Sequence, residues 1–143
     1  ERSGYKMFTS DVSTRGFELT GRTLGIIGCG NIGRHVAQIA SQGFGMKVLA
    51  FDKFPDKALA ESGKAEYVEL PDIWKNSDII SLHCPLTEDT HHIINKDALS
   101  MCKKGVVIIN TSRGALVDAD ALLEGIKSPH EHLPLLCSLT NSY

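Results

Sequence analysis

The sequence predicts an α/β fold in which a doubly wound parallel sheet lies between two layers of helices. Short apolar runs, typical of buried parallel strands, recur at intervals of roughly 25 to 30 residues. The segments between them carry apolar residues at the three- and four-residue spacing of amphipathic helices. Strands joined by helical crossovers place helices on both faces of the sheet, so we expect a three-layer α/β/α architecture.

Five strands are predicted, of which the third is short and more polar than the others. In chain order they cover residues 24–27, 48–51, 66–68, 79–82 and 106–109. We expect the sheet to be incomplete after the fifth strand, because residues 129–143 contain two prolines and show no strand alternation. An open edge at the fifth strand and helical faces without a partner predict marginal stability or self-association of the isolated chain.

The helices are predicted from apolar faces and capping residues. Gly43 is placed at a left-handed C-cap of the first helix, and a helical turn is expected over residues 70–76. Asn95 and Asp118 are expected to cap the two helices that follow the fourth and fifth strands. The predicted apolar faces are Ile32, Val36, Ile39 and Ala40 in the first helix, Ile94, Ala98 and Cys102 in the next, and Ala119, Leu122, Leu123 and Ile126 in the last.

Composition excludes several classes of protein. A chain of 143 residues with 42% hydrophobic and 22% charged residues is typical of one globular domain. The net charge of −2, without a block of like charges, argues against nucleic acid or an anionic membrane as partner. The 4 cysteines form no C-x-x-C pair, which favours a reducing, cytoplasmic setting. No apolar run approaches the roughly 20 residues that span a bilayer.

A glycine loop between the first strand and the first helix fits the pattern G-x-G-x-x-G, at residues 28–33. Gly28 allows a tight turn, Gly30 allows the backbone to approach a pyrophosphate, and Gly33 allows the helix to pack closely on the strand. The helix N-terminus then offers N–H groups and a positive dipole to phosphates. Together these features predict a Rossmann-type dinucleotide site. Cys29, inside the loop, is either a small spacer or a redox-sensitive thiol.

An acidic residue completes this pattern. Asp52 ends the second strand about 20 residues after the loop, where a carboxylate accepts hydrogen bonds from the adenosine ribose. Its charge would repel a 2′-phosphate, which favours NAD over NADP, although Lys53 beside it weakens that preference. The alternative is a structural glycine turn with a solvent-facing Asp52.

A second motif follows the fifth strand, where Arg113 lies just beyond the carboxyl end of the sheet, the edge at which such sheets bind ligands. With residues 25–33, 78–87 and 110–118 in order, the sequence resembles the NAD-binding domain of the D-isomer-specific 2-hydroxyacid dehydrogenases. The resemblance covers residues 14–128. His83-Cys84-Pro85-Leu86-Thr87 followed by Thr90-His91-His92 is most similar to the fermentative D-lactate dehydrogenases.

The resemblance implies a division of the chain and a set of cofactor contacts. Residues 1–20 would be a remnant of an interdomain segment, residues 21–128 the NAD-binding domain, and residues 129–143 an unrelated tail. Asn31 and Ile32 would offer backbone N–H groups to the pyrophosphate. The remaining contacts would come from Asp52 at the ribose, Cys84 and Pro85 on the adenosine side, Thr90 as a polar contact, and Thr111, Ser112 and Arg113 at the nicotinamide.

The resemblance also implies the reaction, hydride transfer between NAD(H) and a D-2-hydroxy acid or its 2-oxo acid. Arg113 matches the catalytic arginine, whose planar fork can pair with the carboxylate of a 2-oxo acid; otherwise it is a surface residue at a helix entry. The family's histidine acid and its glutamate partner would follow Lys127, and residues 129–143 do not match them. We therefore expect nicotinamide binding with little or no turnover from this chain. The family is usually homodimeric.

The histidines give no metal site by spacing. His130 and His132 lack a third ligand, and residues 130–132 are a weak replacement for the missing acid and its partner. His91 and His92 are adjacent and are expected to point in different directions. Two other functions stay open: a non-catalytic NAD(H)-binding or partner-binding module, and a truncation product without activity. The sequence does not identify the 2-hydroxy acid.

Overall fold

The computed structural model describes residues 16–127 and 135–138, and it shows a six-stranded sheet with helices on both faces. The strands are β1 (Thr23–Ile27), β2 (Lys47–Phe51), β3 (Glu66–Tyr67), β4 (Ile79–Leu82), β5 (Val107–Asn110) and β6 (Leu135–Ser138). The helices are α1 (Asn31–Gly43), α2 (Lys57–Glu61), α3 (Leu70–Asn76), α4 (Lys96–Met101) and α5 (Ala119–Lys127), with a short 3₁₀ turn at Gly114–Leu116.

All neighbouring strands pair in parallel, in the order β3-β2-β1-β4-β5-β6. The chain therefore runs outward from β1 in one direction and then returns to start again from β4 on the other side. This reversal leaves a crevice at the carboxyl ends of β1 and β4, where sheets of this type bind ligands. The predicted doubly wound α/β/α class is confirmed.

Successive side chains of each strand point to opposite faces of the sheet, so a hydrophobic core forms on each face. Ile26 packs with Ala37 and Ala40 of α1 on one face. The adjacent Ile27 joins Ile73 of α3 in the core on the other face. Because both faces are covered, the central strands are mostly apolar, with Thr23 in β1 and Ser81 in β4 as their polar residues. They could therefore be predicted from the sequence as short apolar runs.

The prediction that the sheet is incomplete after the fifth strand is wrong. Residues 135–138 form β6, and Leu135 and Ser138 pair in register with Val107 and Asn110 of β5. A strand that joins a parallel sheet needs no alternation, so a short apolar run beside two prolines was enough. β5 is therefore not an open edge, and this part of the argument for self-association falls. Self-association itself stays a prediction.

The apolar face predicted for α1 is only partly right, because Ala40 is buried and Val36 packs against the core while the two isoleucines do not. Ile32 and Ile39 are 69% and 58% exposed, whereas the small residues Gly33, Ala37 and Ala40 face the sheet. Small side chains allow the helix to lie close to β1. The C-cap also differs, because α1 includes Gly43, and the glycine with a left-handed φ of 62° is Gly45.

The caps predicted for α4 and α5 are confirmed. Asn95 accepts a hydrogen bond from the Ala98 N–H at 2.9 Å. Asp118 accepts from two N–H groups in the first turn of α5. The face predicted for α5 is only partly right, because Leu122 is buried while Ala119 and Leu123 are exposed; the Ile126 side chain lies outside the described residues. None of the described helices is long and apolar enough to cross a membrane.

Candidate functional site

The glycine loop follows β1 and forms the floor of the crevice. Gly28 has a φ of 94°, and a Cβ at this position would lie 2.5 Å from the backbone N of Cys84. A Cβ on Gly33 would clash with the carbonyl oxygen of Gly28. These two glycines are thus required for the turn itself and for the contact between α1 and the turn, as the sequence predicted.

Gly30 has a different role. It is the N-cap of α1, and within the described part of the chain no heavy atom lies within 4 Å of a Cβ built on it. The first turn of α1 contains no acidic residue, and no described side chain caps it. Its N–H groups and positive dipole therefore remain available to an anion, and the space beside Gly30 allows that anion to reach the backbone. This cradle fits the pyrophosphate of a dinucleotide.

Asp52, at the carboxyl end of β2, supports the loop and faces the same crevice. Its Oδ2 accepts a hydrogen bond from the Cys29 N–H at 2.6 Å, and its Oδ1 accepts from the Phe54 N–H at 2.8 Å. Because each carboxylate oxygen has two lone pairs, the half-buried group can still accept from two hydroxyls of a ligand. These two bonds also give Asp52 a structural role in the turn, which the alternative of a structural glycine turn shares.

The segment after β4 forms the opposite wall of the crevice. Cys84 is buried and Pro85 is exposed. The Thr90 hydroxyl donates to the Pro85 carbonyl at 2.7 Å and accepts from the Thr87 N–H at 2.8 Å. The one O–H donor of Thr90 is thus used within the loop, so the main role of this side chain in the structure is to hold the conformation of the loop. An ion pair joins this wall to the other one: the Lys53 Nζ lies 2.7 Å from the Asp89 Oδ2.

The predicted arginine follows β5 on a turn that buried Asn110 holds. Asn110 is 1% exposed; its Oδ1 accepts from the Ser112 N–H at 3.0 Å and its Nδ2 donates to the Arg113 carbonyl at 2.8 Å. The Ser112 hydroxyl donates to the Cys84 carbonyl at 2.8 Å, which ties this turn to the wall after β4. The Arg113 guanidinium is exposed at the same edge of the sheet. Asn110 lies within the motif at residues 110–118, but its role in holding the turn was not predicted from the sequence.

We expect Asn110→Ala to lower the free energy of unfolding by about 2 kcal/mol, because a buried N–H and a carbonyl lose their partner. Urea unfolding followed by circular dichroism measures this loss. Ser112→Ala is the matched control: it removes only the hydroxyl bond to Cys84 and should cost about 1 kcal/mol. A smaller loss in Asn110→Ala than in Ser112→Ala would contradict the assigned role.

A ladder of backbone bonds connects the two segments that follow β4 and β5. The His92 N–H donates to the Ala115 carbonyl, the Ile94 N–H to the Leu116 carbonyl, and the Asp118 N–H to the Ile94 carbonyl, at 2.9, 3.1 and 2.9 Å. His92 enters this ladder with a left-handed φ of 51°.

The left-handed backbone at His92 overturns one prediction. The His91 and His92 rings do not point in different directions; they stack with centroids 3.9 Å apart and planes at 24°. Within the described residues, no group of three or more His, Cys, Asp or Glu side chains could hold a metal ion. Residues 130–132 lie outside the described residues.

The alternatives for Cys29 are resolved by its surroundings. The side chain is buried, and burial is the main cause that raises the pKa of its thiol to about 11. A raised pKa lowers the thiolate fraction at neutral pH, and burial limits access to the sulfur. Both observations favour the small spacer over the redox-sensitive thiol.

The structure brings the predicted site residues to one edge of the sheet. The carboxyl ends of β2, β1, β4 and β5 supply all of them, in that order across the sheet. The glycine loop and Asp52 are joined directly by a hydrogen bond, as are Ser112 and Cys84. No described bond joins Arg113 to the glycine loop. The Lys53–Asp89 pair was missed, since nothing in the sequence shows that two residues 36 positions apart meet.

Comparisons with known proteins agree with this geometry. The family model for "D-isomer specific 2-hydroxyacid dehydrogenase, NAD binding domain" matches residues 2–133. The chain is 50% identical over 113 residues to D-lactate dehydrogenase of Escherichia coli, covering 79% of the chain and 34% of that protein. It is 50% identical over 114 residues to hydroxypyruvate reductase of Thermotoga maritima, covering 80% of the chain and 36% of that protein. The chain thus spans about a third of the length of these curated relatives.

Solved structures give the same result. The apo-structure of D-lactate dehydrogenase from Escherichia coli superposes with a TM-score of 0.79 at 46% identity, over 86% of this chain and 38% of that one. D-lactate dehydrogenase from Aquifex aeolicus, complexed with NAD and lactic acid, superposes with a TM-score of 0.82 at 42% identity, over 92% of this chain and 38% of that one.

Proposed function

The chain belongs to the D-isomer-specific 2-hydroxyacid dehydrogenases and contains their NAD-binding domain, and from this we propose that residues 21–128 hold NAD(H) for the oxidation of a D-2-hydroxy acid or the reduction of its 2-oxo acid. The observation that carries the proposal is the cradle beside Gly30, joined through Cys29 to the Asp52 carboxylate. The bound nicotinamide supplies or accepts the hydride.

The residues of the chain would hold the cofactor in three parts. The N–H groups of Asn31 and Ile32 would bind the pyrophosphate at the start of α1. Asp52 would accept hydrogen bonds from the adenosine ribose. The wall after β4 would cover the adenosine side through Cys84, Pro85 and Thr90, and Thr111 and Ser112 would border the nicotinamide.

Arg113 would bind the substrate. Its guanidinium is exposed at the edge of the crevice, and Asn110 fixes the backbone from which it extends. A planar fork of N–H donors can form two hydrogen bonds to the carboxylate of a 2-oxo acid, which orients the carbonyl carbon for hydride transfer. D-lactate dehydrogenase and hydroxypyruvate reductase are matched at the same identity. The proposed substrate is therefore a class, the 2-oxo acids, and pyruvate is the first member of that class to test.

Expectations about the compartment, the oligomeric state and the division of the chain accompany this proposal. The described cysteines Cys29, Cys84 and Cys102 are free, which supports a reducing, cytoplasmic setting. We also keep the homodimer expected from the family, which sedimentation equilibrium can measure. We propose that residues 1–20 belong to an interdomain segment. The division at residue 128 is revised, because residues 135–138 form β6 of the same sheet.

The experiment is a thermal melt of the 143-residue chain alone, with NADH and with NADPH. A ligand that binds only the folded state raises the melting temperature, and we expect NADH to raise it more than NADPH does. At a hundredfold excess over the dissociation constant the stabilisation is about 2.7 kcal/mol. No response to either nucleotide would overturn the proposal.

Turnover is measured separately, as loss of NADH absorbance with pyruvate. We expect binding without turnover from this chain, because it matches only the NAD-binding part of its curated relatives, about a third of their length.

A further inference from the structure

The ion pair between Lys53 and Asp89 connects the two walls of the cofactor crevice. Lys53 follows Asp52 directly at the end of β2, and Asp89 lies in the segment after β4. In the sheet, β1 lies between these two strands, so the pair reaches from one side of the glycine loop to the other. The Lys53 Nζ donates a direct, charge-assisted hydrogen bond to the Asp89 Oδ2 over a distance of 2.7 Å.

The position of Lys53 is chemically unexpected for a site that prefers NAD. The adenosine ribose would bind at Asp52, and an ammonium group on the next residue would attract a 2′-phosphate there. An ammonium bonded to a carboxylate adds almost no net charge. The hydrogen bond between them raises the pKa of Lys53 and lowers the pKa of Asp89, which favours the charged form of both groups.

We propose that Asp89 is a specificity-determining residue: it neutralises Lys53, leaves the Asp52 charge uncompensated, and so disfavours a dinucleotide that carries a 2′-phosphate. The inference rests on the proposed function and adds to it a residue far from Asp52 in the sequence. Both side chains are about three-quarters exposed, at 73% and 74%. The effect is therefore moderate and sensitive to salt.

The experiment compares Asp89→Asn with the unchanged 143-residue chain, by calorimetric titration with NADH and with NADPH at low ionic strength. Asp89→Asn keeps the shape of the side chain and releases Lys53. We expect NADPH to bind roughly three- to tenfold more tightly, while NADH affinity changes less than about twofold. High salt should reduce the gain in NADPH affinity.

Two controls separate the release of Lys53 from a general change in charge. Glu88→Gln removes the same charge at the adjacent residue, which forms no ion pair in the described part of the chain, and it should leave NADPH affinity nearly unchanged. In a Lys53→Gln background, Asp89→Asn should give no gain, because there is no ammonium to release.

The outcomes distinguish this inference from the proposed function. Equal gains in Asp89→Asn and Glu88→Gln, or a gain that persists in the Lys53→Gln background, would overturn the role of Asp89. The role of Asp89 would also be overturned if Asp89→Asn binds NADH and keeps the same preference for NADH over NADPH as the unchanged chain. If the unchanged chain binds neither nucleotide, the proposed function fails and this inference fails with it.

Discussion

Replacement of Gly28 by alanine is expected to lower the free energy of unfolding by about 3 kcal/mol and the melting temperature by about 10 °C. Gly28 has a φ of 94°, which side-chain-bearing residues rarely adopt. The added Cβ would lie 2.5 Å from the Cys84 N and 2.7 Å from the Cys84 Cα. These are backbone atoms that continue from central strand β4, so they cannot rotate aside as a side chain could. Thermal and urea unfolding measure the loss.

Gly30→Ala is the matched control, with the opposite pattern of effects. Its φ of −65° suits alanine, and the space around it is open among the described residues. The melting temperature should stay within about 1 °C, because no contact is disturbed. NADH affinity should fall at least roughly tenfold, because the methyl group enters the space through which a pyrophosphate reaches the backbone. A normal melt for Gly28→Ala, or normal NADH binding by Gly30→Ala, would contradict these roles.

Replacement of Asp52 by asparagine is expected to change the ratio of NADH to NADPH affinity by about a hundredfold. Loss of the charge weakens hydrogen bonds to the ribose hydroxyls by about 1.5–3 kcal/mol, which is roughly ten- to a hundredfold in NADH affinity. The same change removes repulsion of a 2′-phosphate, so NADPH binding should improve. Titration of both nucleotides gives the ratio.

Asp56→Asn is the control for Asp52→Asn. Asp56 lies four residues after Asp52 in the same segment. It caps α2 and forms an ion pair with Arg34 at 3.2 Å. Because asparagine caps a helix about as well as aspartate, its replacement should leave the cap in place and should not alter the nucleotide ratio. Because Asp52 also accepts from the Cys29 and Phe54 N–H groups, Asp52→Asn should itself unfold slightly more easily. A ratio unaltered in Asp52→Asn, or altered equally in both variants, would contradict the assignment.

The central strands and the dinucleotide motif could be predicted because one local requirement fixes each of them. β1 and β4 are covered on both faces, so apart from Thr23 and Ser81 they carry no polar residue, and the run is visible without alternation. Gly28 and Gly33 are fixed by backbone contacts that admit no Cβ. α3 begins and ends where the sequence placed it, at Leu70–Asn76.

The buried face of α1 could not be predicted from periodicity. Gly33, Ala37 and Ala40 follow a helical spacing, and Ile32, Val36 and Ile39 follow the same spacing one residue earlier. The two stripes differ by a rotation of about 100° around the helix axis. Bulk favours the isoleucines as core, but the helix lies too close to β1 for them, and tertiary packing selects the smaller stripe.

Contacts between distant segments were also beyond the sequence. β6 is recognisable chiefly through its pairing with β5, since its short apolar run shows no alternation and follows a proline. The same holds for the Lys53–Asp89 pair and for the bonds that Asn110 makes within its turn, which depend on side-chain rotamers.

The backbone ladder between residues 92–94 and 115–118 makes the two halves of the site a single mechanical element. The Ser112 bond to Cys84 closes this element at its other end. The segment proposed to cover the adenosine and the turn that carries Arg113 therefore belong to one hydrogen-bonded unit, with bonds at both of its ends. In the proposed function, one rigid unit would thus contact both the nucleotide and the substrate.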